Sequence, residues 1–509
     1  MPYTRGDLFA HHDIHALRMG FSLSTWLFVV AVLALLFRSL YLYLSSPLYK
    51  VPGPFIAGLS RWWLAYHGWR GDFHKLLTNL HEQYGDVVRI GPNEIITISP
   101  DAVKKIYGAG SQFRKSEWYL PQQGERKFDL FAERDIVIHR NHRRLVNNAY
   151  ATSSLMELEP YMDSAIAYFM TTLHDVQGQR IDFGLWLQLF AFDVIGEVTF
   201  SQRFGLMDAG KESEALKQIK KVLRSTSWVG QVPYVYKIHQ LLQPVIGNRL
   251  ALTARNGSLR QFAMDQVQSR ILRGSDHRDM LGRFVEINKA KPLEFDEAAL
   301  VSMTASNIAA GSDTTAISLR SMVYYLLKNP HCLKKLIAEI DEITKGSTHS
   351  DVVTYEQANK MPYLQAVMNE ALRIHSIVGH SMQRVVPRGG IQIGEYYIPS
   401  GTIIGTSPYV LGRSEGIYGP DAKMFRPERW LEDGDKYDLW SGYLAFGGAS
   451  RLCIGKNISW MEMSKVLATL LRNFVVEFAD METDWQEVCY VFVHQTGLNV
   501  TLRPREVAE

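Results

Sequence analysis

Thirty consecutive residues, Ala298 to Leu327, carry only two charges, Asp313 and Arg320. A stretch that long and that neutral is either a membrane span or the central helix of a large core. Asp296 and Glu297 stand just before it, where acidic side chains suit a helix N-terminus. The serines, threonines, asparagine and Asp313 within it argue against lipid contact, because a charge in hydrocarbon is costly. The pattern predicts a buried core helix over 298–327.

The chain can supply such a core. Of its 509 residues 46% are hydrophobic and 11% aromatic. Lys and Arg number 55 against 52 Asp and Glu, so no global charge points to nucleic acid. Three cysteines, Cys332, Cys453 and Cys489, cannot make a disulfide framework, and none has zinc-site spacing. So sparse and odd a count fits a reducing compartment such as the cytosol.

A second neutral run, Met19 to Phe37, lies between Arg18 and Arg38, followed by the tyrosines of SLYLYL. Its length and its interfacial aromatics predict a retained membrane anchor over 19–44, after a short segment 1–18. A cleaved signal peptide would be shorter and followed by small residues. Arg5 and Arg18 before the run balance Arg38 and Lys50 after it, so orientation rests on the cysteine economy, which favours a cytosolic body. Pro47, Pro52, Gly53 and Pro54 predict a stiff extended connector over 45–57, with the folded body from about Gly58 to residue 509.

The body reads as mainly α with small β-sheets. Gly85–Ser99 alternates around Gly91-Pro92-Asn93 and predicts a hairpin. Residues 155–345 look helical almost throughout. Gly389–Ser407 is a second β-rich patch, and the stretch from Val488 to Pro504 reads as a last hairpin.

Four local features carry chemistry. In FGGASRLCIG, Phe446 to Gly455, Cys453 sits among glycines, two residues after Arg451 and before a helix-like run. Turn amides, a helix N-terminus and a nearby cation all favour thiolate, so Cys453 is a nucleophile or a metal ligand rather than an inert core thiol. In AAGSDTT, Ala309 to Thr315, three small residues make a notch where something bulky can press on the helix. Asp313 and Thr314 there set an acid beside a hydroxyl, a pair able to deliver protons into an apolar site. A plain packing notch fits the same residues. In NEALR, Glu370 and Arg373 share a helix face at i and i+3, and Arg429 of FRPERW could join them. An exposed ion pair is the ordinary alternative for these.

The order A-G-x-D-T-T, E-x-x-R, P-E-R-W and F-x-x-x-x-R-x-C-x-G resembles the cytochrome P-450 superfamily of haem-thiolate monooxygenases, over essentially the whole body. CIGKNIS after the cysteine, RVVPRGG after E-x-x-R and HRNHRR (His139–Arg144) look most like the membrane-bound fungal enzymes, particularly the pisatin-demethylase-like branch of secondary metabolism.

The resemblance implies the P-450 fold and a haem b whose proximal ligand is the Cys453 thiolate, with Phe446 packed beside the sulfur. Arg451, Arg143 and His139 would pair the propionates, with His380 or Arg384 contributing further. Asp313 and Thr314 would pass protons for O–O cleavage, while Glu370, Arg373 and Arg429 form a buried structural triad. The superfamily usually has glycine where this chain has Ala449, which is tolerable only outside the left-handed region or with some strain.

It also implies a monooxygenase inserting one oxygen atom into a hydrophobic small molecule by hydroxylation, epoxidation or oxidative demethylation. Electrons would come from NADPH through a separate diflavin reductase, with cytochrome b5 as a further donor, docking on Arg140, Arg143, Arg144, Arg451 and Lys456. By analogy the substrate site draws on Trp118–Asp135, Trp228–Tyr236, Ser306, Ala310, Ile377–Met382 and Thr496. The expected location is the endoplasmic reticulum membrane, spanned once, with the catalytic domain in the cytosol. A haem-thiolate isomerase or dehydratase would need no reductase, and a non-catalytic haem sensor would need no proton relay. The sequons at Asn256, Asn457 and Asn499 read as chance matches in a cytosolic body.

Overall fold

The computed structural model describes residues 23–250, 258–274, 279–347, 351–432, 443–480 and 484–505. Segment 1–18, the first residues of the 19–44 run and the Asn256 sequon lie outside them.

The central helix runs Glu297–Lys328, one residue longer at each end than its charge pattern predicts. Asp296 caps it, accepting from the Ala299 amide at 2.8 Å. Most of its length from Ala299 to Leu326 is buried, packed chiefly against the apolar helix Phe183–Phe200, itself largely buried. Arg320 joins the two: its guanidinium is buried and donates to the Gly184 carbonyl at 2.8 Å through Nε. Helices Glu159–Asp175, Met280–Ala290, Pro330–Ile343, Pro362–Ile374 and Lys456–Asn473 complete the core. Between 155 and 345 the single strand among the described residues is Ile181–Asp182.

The sheets are small and built from distant segments. Val87–Gly91 and Glu94–Thr97 form the expected hairpin, turning at Pro92-Asn93. Glu94–Thr97 then pairs in parallel with Ile403–Gly405, which pairs with Arg384–Val385, and that with Arg114–Lys115. In the second β-rich patch only Ile391–Ile393 and Tyr396–Ile398 pair locally. The last expected hairpin resolves into two elements. Gln486–Tyr490 pairs with Phe492–Thr496, whereas Asn499–Pro504 crosses to Phe474–Phe478 and Ile181–Asp182.

Helix Leu23–Leu44 buries no residue and is long and apolar enough to cross a membrane. The connector departs from expectation. Leu48 and Val51 are core residues packed with Val87 and Ile404, and a short helix, Phe55–Leu59, follows Pro54. Apolar side chains at 48 and 51 gain more by burial than the prolines lose by bending, so packing begins about ten residues before Gly58.

Candidate active site

The cysteine loop is a set of tight turns leading into helix Lys456–Asn473. The Cys453 amide donates to the Phe446 carbonyl at 2.7 Å, and the Arg451 and Leu452 amides turn back to Gly448 and Ala449. Gly447 lies at φ 78°. A Cβ on Gly448 would fall 2.6 Å from the Tyr107 carbonyl, so its glycine serves close approach of the loop to Tyr107. Ala449 lies at φ 42°. The strained alternative holds there, and an L-residue in this region costs about 1–2 kcal/mol.

Cys453 is accessible, unlike Cys332 and Cys489, which are buried. Desolvation raises its thiol pKa, opposed by the Gly455 amide, the Arg143 charge and the Lys456 amide. The central helix is bare on one stripe: Ser306, Ala309 and Thr314 are half-buried and Ala310 is exposed, amid a middle section that is mostly buried. The notch divides in two. Ala309 and Ala310 front a cavity of about 290 Å³, whereas a Cβ on Gly311 would meet Ile195 at 2.8 Å, so Gly311 admits the neighbouring helix.

Basic groups converge beside this space. Arg143 Nη1 donates to the Leu452 carbonyl at 2.5 Å, tying helix Ile136–Val146 to the loop. Arg451 Nη1 donates to the Glu133 carbonyl at 2.7 Å. Arg384 is buried, with Nη1 at 3.3 Å from the Tyr119 hydroxyl and its guanidinium 5.1 Å from the Tyr107 ring centroid. Lys115, absent from the sequence reading, is buried in the same group; its Nζ donates to the Phe131 carbonyl and lies 4.6 Å from the Tyr119 ring centroid.

The cations disfavour one another and keep the neighbouring His139 neutral. Burial, then Arg451, Lys115 and Arg143, pull His139 down to about 3. Burial and Arg384 hold Arg451 at about 10, and burial, Arg384 and Arg451 hold Lys115 well below the ordinary lysine value. A buried cationic cluster of this kind demands anions. The two carboxylates of a haem would supply them and the Cys453 thiolate would supply its iron ligand, so the residues fit that group.

His380 is a correction. Nε2 lies 3.0 Å from the Ser227 hydroxyl and Nδ1 3.4 Å from the Gln231 amide, with the ring stacked on Phe73 at 4.2 Å. Burial takes it to about 3, and with both ring nitrogens turned to Ser227 and Gln231 it stands apart from the cationic group as a core histidine.

Asp313 and Thr314 diverge, as successive residues on a helix must. Asp313 is buried, and its Oδ1 accepts from Gln188 Nε2 at 2.6 Å, while Oδ2 has no hydrogen-bond partner among the described residues. Gln188 Oε1 in turn faces Arg320 Nη2 at 3.4 Å. Thr314, on the open stripe, donates Oγ1 to the Ala310 carbonyl at 2.7 Å. Gln188 carried no signal in sequence, being one of several polar residues in a mostly apolar helix.

Glu370 accepts five bonds: Arg373 Nε and Nη2 at 2.8 and 2.7 Å, Arg429 Nε at 3.1 Å, Trp430 Nε1 at 2.9 Å and the Arg426 amide at 2.8 Å. Glu370, Arg373 and Arg429 are fully buried. Both guanidinium groups also bind backbone carbonyls: Arg373 reaches those of Ala422 and Met424, and Arg429 those of Tyr418 and Asp421.

The cavity wall differs from the expected set. Gln122, Phe131, Ser306 and Ala310 line it as anticipated. Helix Glu214–Val229 contributes Ile219 and Val222 in place of Trp228–Tyr236, and the last β-hairpin contributes Val491 and Phe492 in place of Thr496. The Ile377–Met382 stretch is largely buried in packing rather than lining the space. Arg140 and Arg144 are exposed on helix Ile136–Val146, with half-buried Arg143, Arg451 and Lys456 nearer the loop.

The Cytochrome P450 family model matches residues 54–500. The chain is 37% identical to cytochrome P450 monooxygenase hepC of Aspergillus oryzae, covering 88% of this chain and 91% of that protein. It is 36% identical to cytochrome P450 monooxygenase cicH of Emericella nidulans, over 89% and 93%. It is 33% identical to a pisatin demethylase of Fusarium vanettenii, over 92% and 90%. Among solved structures, the haem domain of cytochrome P450DA superposes with a TM-score of 0.76 at 18% identity, over 90% of this chain and 98% of that one.

Proposed function

Because the chain belongs to the cytochrome P450 family, we propose that Cys453 is its haem ligand and that the cavity over Ala310 oxidises a hydrophobic small molecule of fungal secondary metabolism. The chain is a P450 monooxygenase whose cofactor is haem with a cysteine thiolate ligand. When bound, the haem supplies activation of dioxygen, with the thiolate pushing electron density toward O–O cleavage.

The observation that carries the assignment is an accessible Cys453 in a loop tied to Arg143, beside a buried cluster of basic side chains. Lys115, Arg143, Arg384 and Arg451 would hold the propionates, with neutral His139 beside them as a hydrogen-bonding group. Phe446, half-buried and 6.1 Å from the Trp460 ring, shields the sulfur. Ala310 leaves room at the oxidising face. Thr314 holds a proton at Oγ1, and Asp313 supplies one from the Gln188 side, which suits a reaction that consumes protons. Glu370, Arg373 and Arg429 hold the frame and touch no reactant.

The reaction is hydroxylation, epoxidation or oxidative demethylation, the last in keeping with the pisatin demethylase relatives. Electrons come from an NADPH-dependent diflavin reductase, or from cytochrome b5 as a second donor, docking over Arg140, Arg144 and Lys456. Helix Leu23–Leu44 crosses the endoplasmic reticulum membrane once, leaving 58–509 as the cytosolic catalytic domain. A second apolar surface supports membrane contact. Trp62, Tyr66 and Trp69 lie exposed on one helix face, and Tyr234, Ile238, Leu241 and Val245 on another. The Trp62 and Tyr234 rings meet at 6.1 Å.

The carbon-monoxide difference spectrum of reduced membranes tests the assignment. A strongly red-shifted Soret band that disappears in Cys453→Ala is expected. Full haem loading without that band would overturn Cys453 as the ligand.

A further inference from the structure

Gln122 lines the cavity, is 3% exposed, and has no hydrogen-bond partner for either Nε2 or Oε1 among the described residues. Leaving a buried amide unpaired costs about 1–3 kcal/mol per group. It stands in a wall that is otherwise overwhelmingly apolar. Its neighbours extend the polar patch. Arg126 Nη2 donates to the Gln122 carbonyl at 2.5 Å, and Arg126 Nη1 lies 3.4 Å from Ser306 Oγ, itself on the cavity wall.

The patch carries no net charge. Arg126 is paired with buried Asp129. Glu214, also at the wall, accepts from Gln218 at 3.0 Å and faces Lys217 at 3.6 Å. A carboxylate or an ammonium ligand would therefore meet no free counter-charge here. What Gln122 lacks is one acceptor and one donor together.

Resting on the monooxygenase reading above, we propose that Gln122, with Ser306 and Arg126, anchors a hydroxyl group on an otherwise apolar substrate. A hydroxyl donates to Oε1 and accepts from Nε2 or the Ser306 hydroxyl. Ser306 precedes Ala310 by one turn of the central helix, ~6 Å along its axis. The anchored hydroxyl is thereby held about that far from Ala310 along the open stripe, and the apolar skeleton is laid across Ala310. Gln122 is a specificity residue and touches no reacting atom.

The test titrates the full-length holoenzyme with 2-naphthol, 2-methoxynaphthalene and naphthalene, reading the haem spin-state change or displacement of a reporting ligand. The wild type is expected to prefer 2-naphthol over both analogues by ~10-fold. Gln122→Met is expected to reduce that preference to about threefold or less, with the carbon-monoxide spectrum intact. Ser306→Ala is expected to weaken it as well, and keeps the question answerable should Gln122→Met fail to load haem. No preference in the wild type, or an undiminished one in Gln122→Met, would overturn the proposal, including the case of a hydroxyl bound directly at the iron. A missing carbon-monoxide band in the wild type would instead sink the monooxygenase assignment.

Discussion

Gln188 donates to Asp313 across two packed helices at 2.6 Å, so the acid beside Thr314 is held from behind rather than left free in the cavity. The same glutamine faces Arg320, which is anchored on the Gly184 carbonyl. Proton supply through Asp313 should therefore depend on Gln188. Asp313→Asn is expected to slow turnover by ~10²-fold. Gln188→Leu should cost about tenfold, with a larger share of NADPH electrons ending as hydrogen peroxide. An unchanged peroxide fraction and solvent isotope effect in Gln188→Leu would remove it from this role.

Ala449 holds a left-handed backbone, and glycine adopts that conformation without a Cβ penalty. Ala449→Gly is expected to stabilise the holoprotein by about 1 kcal/mol, after allowing for the extra freedom of the unfolded chain. Denaturant unfolding and the rate of haem capture by apomyoglobin measure it. A destabilised variant with faster haem loss would mean that the strain is absent.

Burial, then Arg384 and Arg451, disfavour the charge on Lys115 until an anion arrives. Lys115→Met should act with opposite signs on the two forms. The haem-free protein gains stability by losing a buried amine whose charge is disfavoured, while the holoprotein releases haem ~10-fold faster. Parallel thermal melts of both forms read the signs, and equal shifts would rule out a propionate contact.

Glu370 satisfies five donors inside the core, two of them from Arg373. Removing it leaves two buried guanidinium groups without their shared anion. Glu370→Ala is expected to cost about 3–5 kcal/mol, a large share of a stability of about 5–15. Arg373→Lys should fail similarly, since an ammonium cannot reach the carboxylate and the carbonyls of Ala422 and Met424 together. Normal expression and haem content in either would contradict the structural role.

His380 is buried, neutral, and lowered to about 3 by desolvation. Its unfolded counterpart takes up a proton near 6.5. Between those values the unfolded chain binds more protons, so stability falls as pH drops from about 6.5 toward 3. His380→Gln keeps hydrogen bonding toward Ser227 and should flatten that slope in urea titrations at pH 7, 6 and 5. A parallel pH dependence in the two proteins would exclude His380 as its source.

The sequence by itself determined whatever rests on local pattern. Charge spacing placed the central helix within a residue at each end, because burial leaves a helix no room for charge and Asp296 caps where the neutral run begins. Turn residues marked the hairpin at Pro92-Asn93. Ordered motifs single out Cys453, and Glu370 with Arg373 and Arg429.

Only the tertiary structure decided which distant residues meet. Glu94 pairs with Ile403 and Gln188 reaches Asp313. Lys115 joins Arg384, Gly311 yields to Ile195, and His380 turns to Ser227 instead of the cavity. Periodicity says which face of an element is apolar, whereas the partner of that face is set by packing the whole chain at once. A lone glutamine such as Gln122 becomes a binding group only when the walls around it are closed.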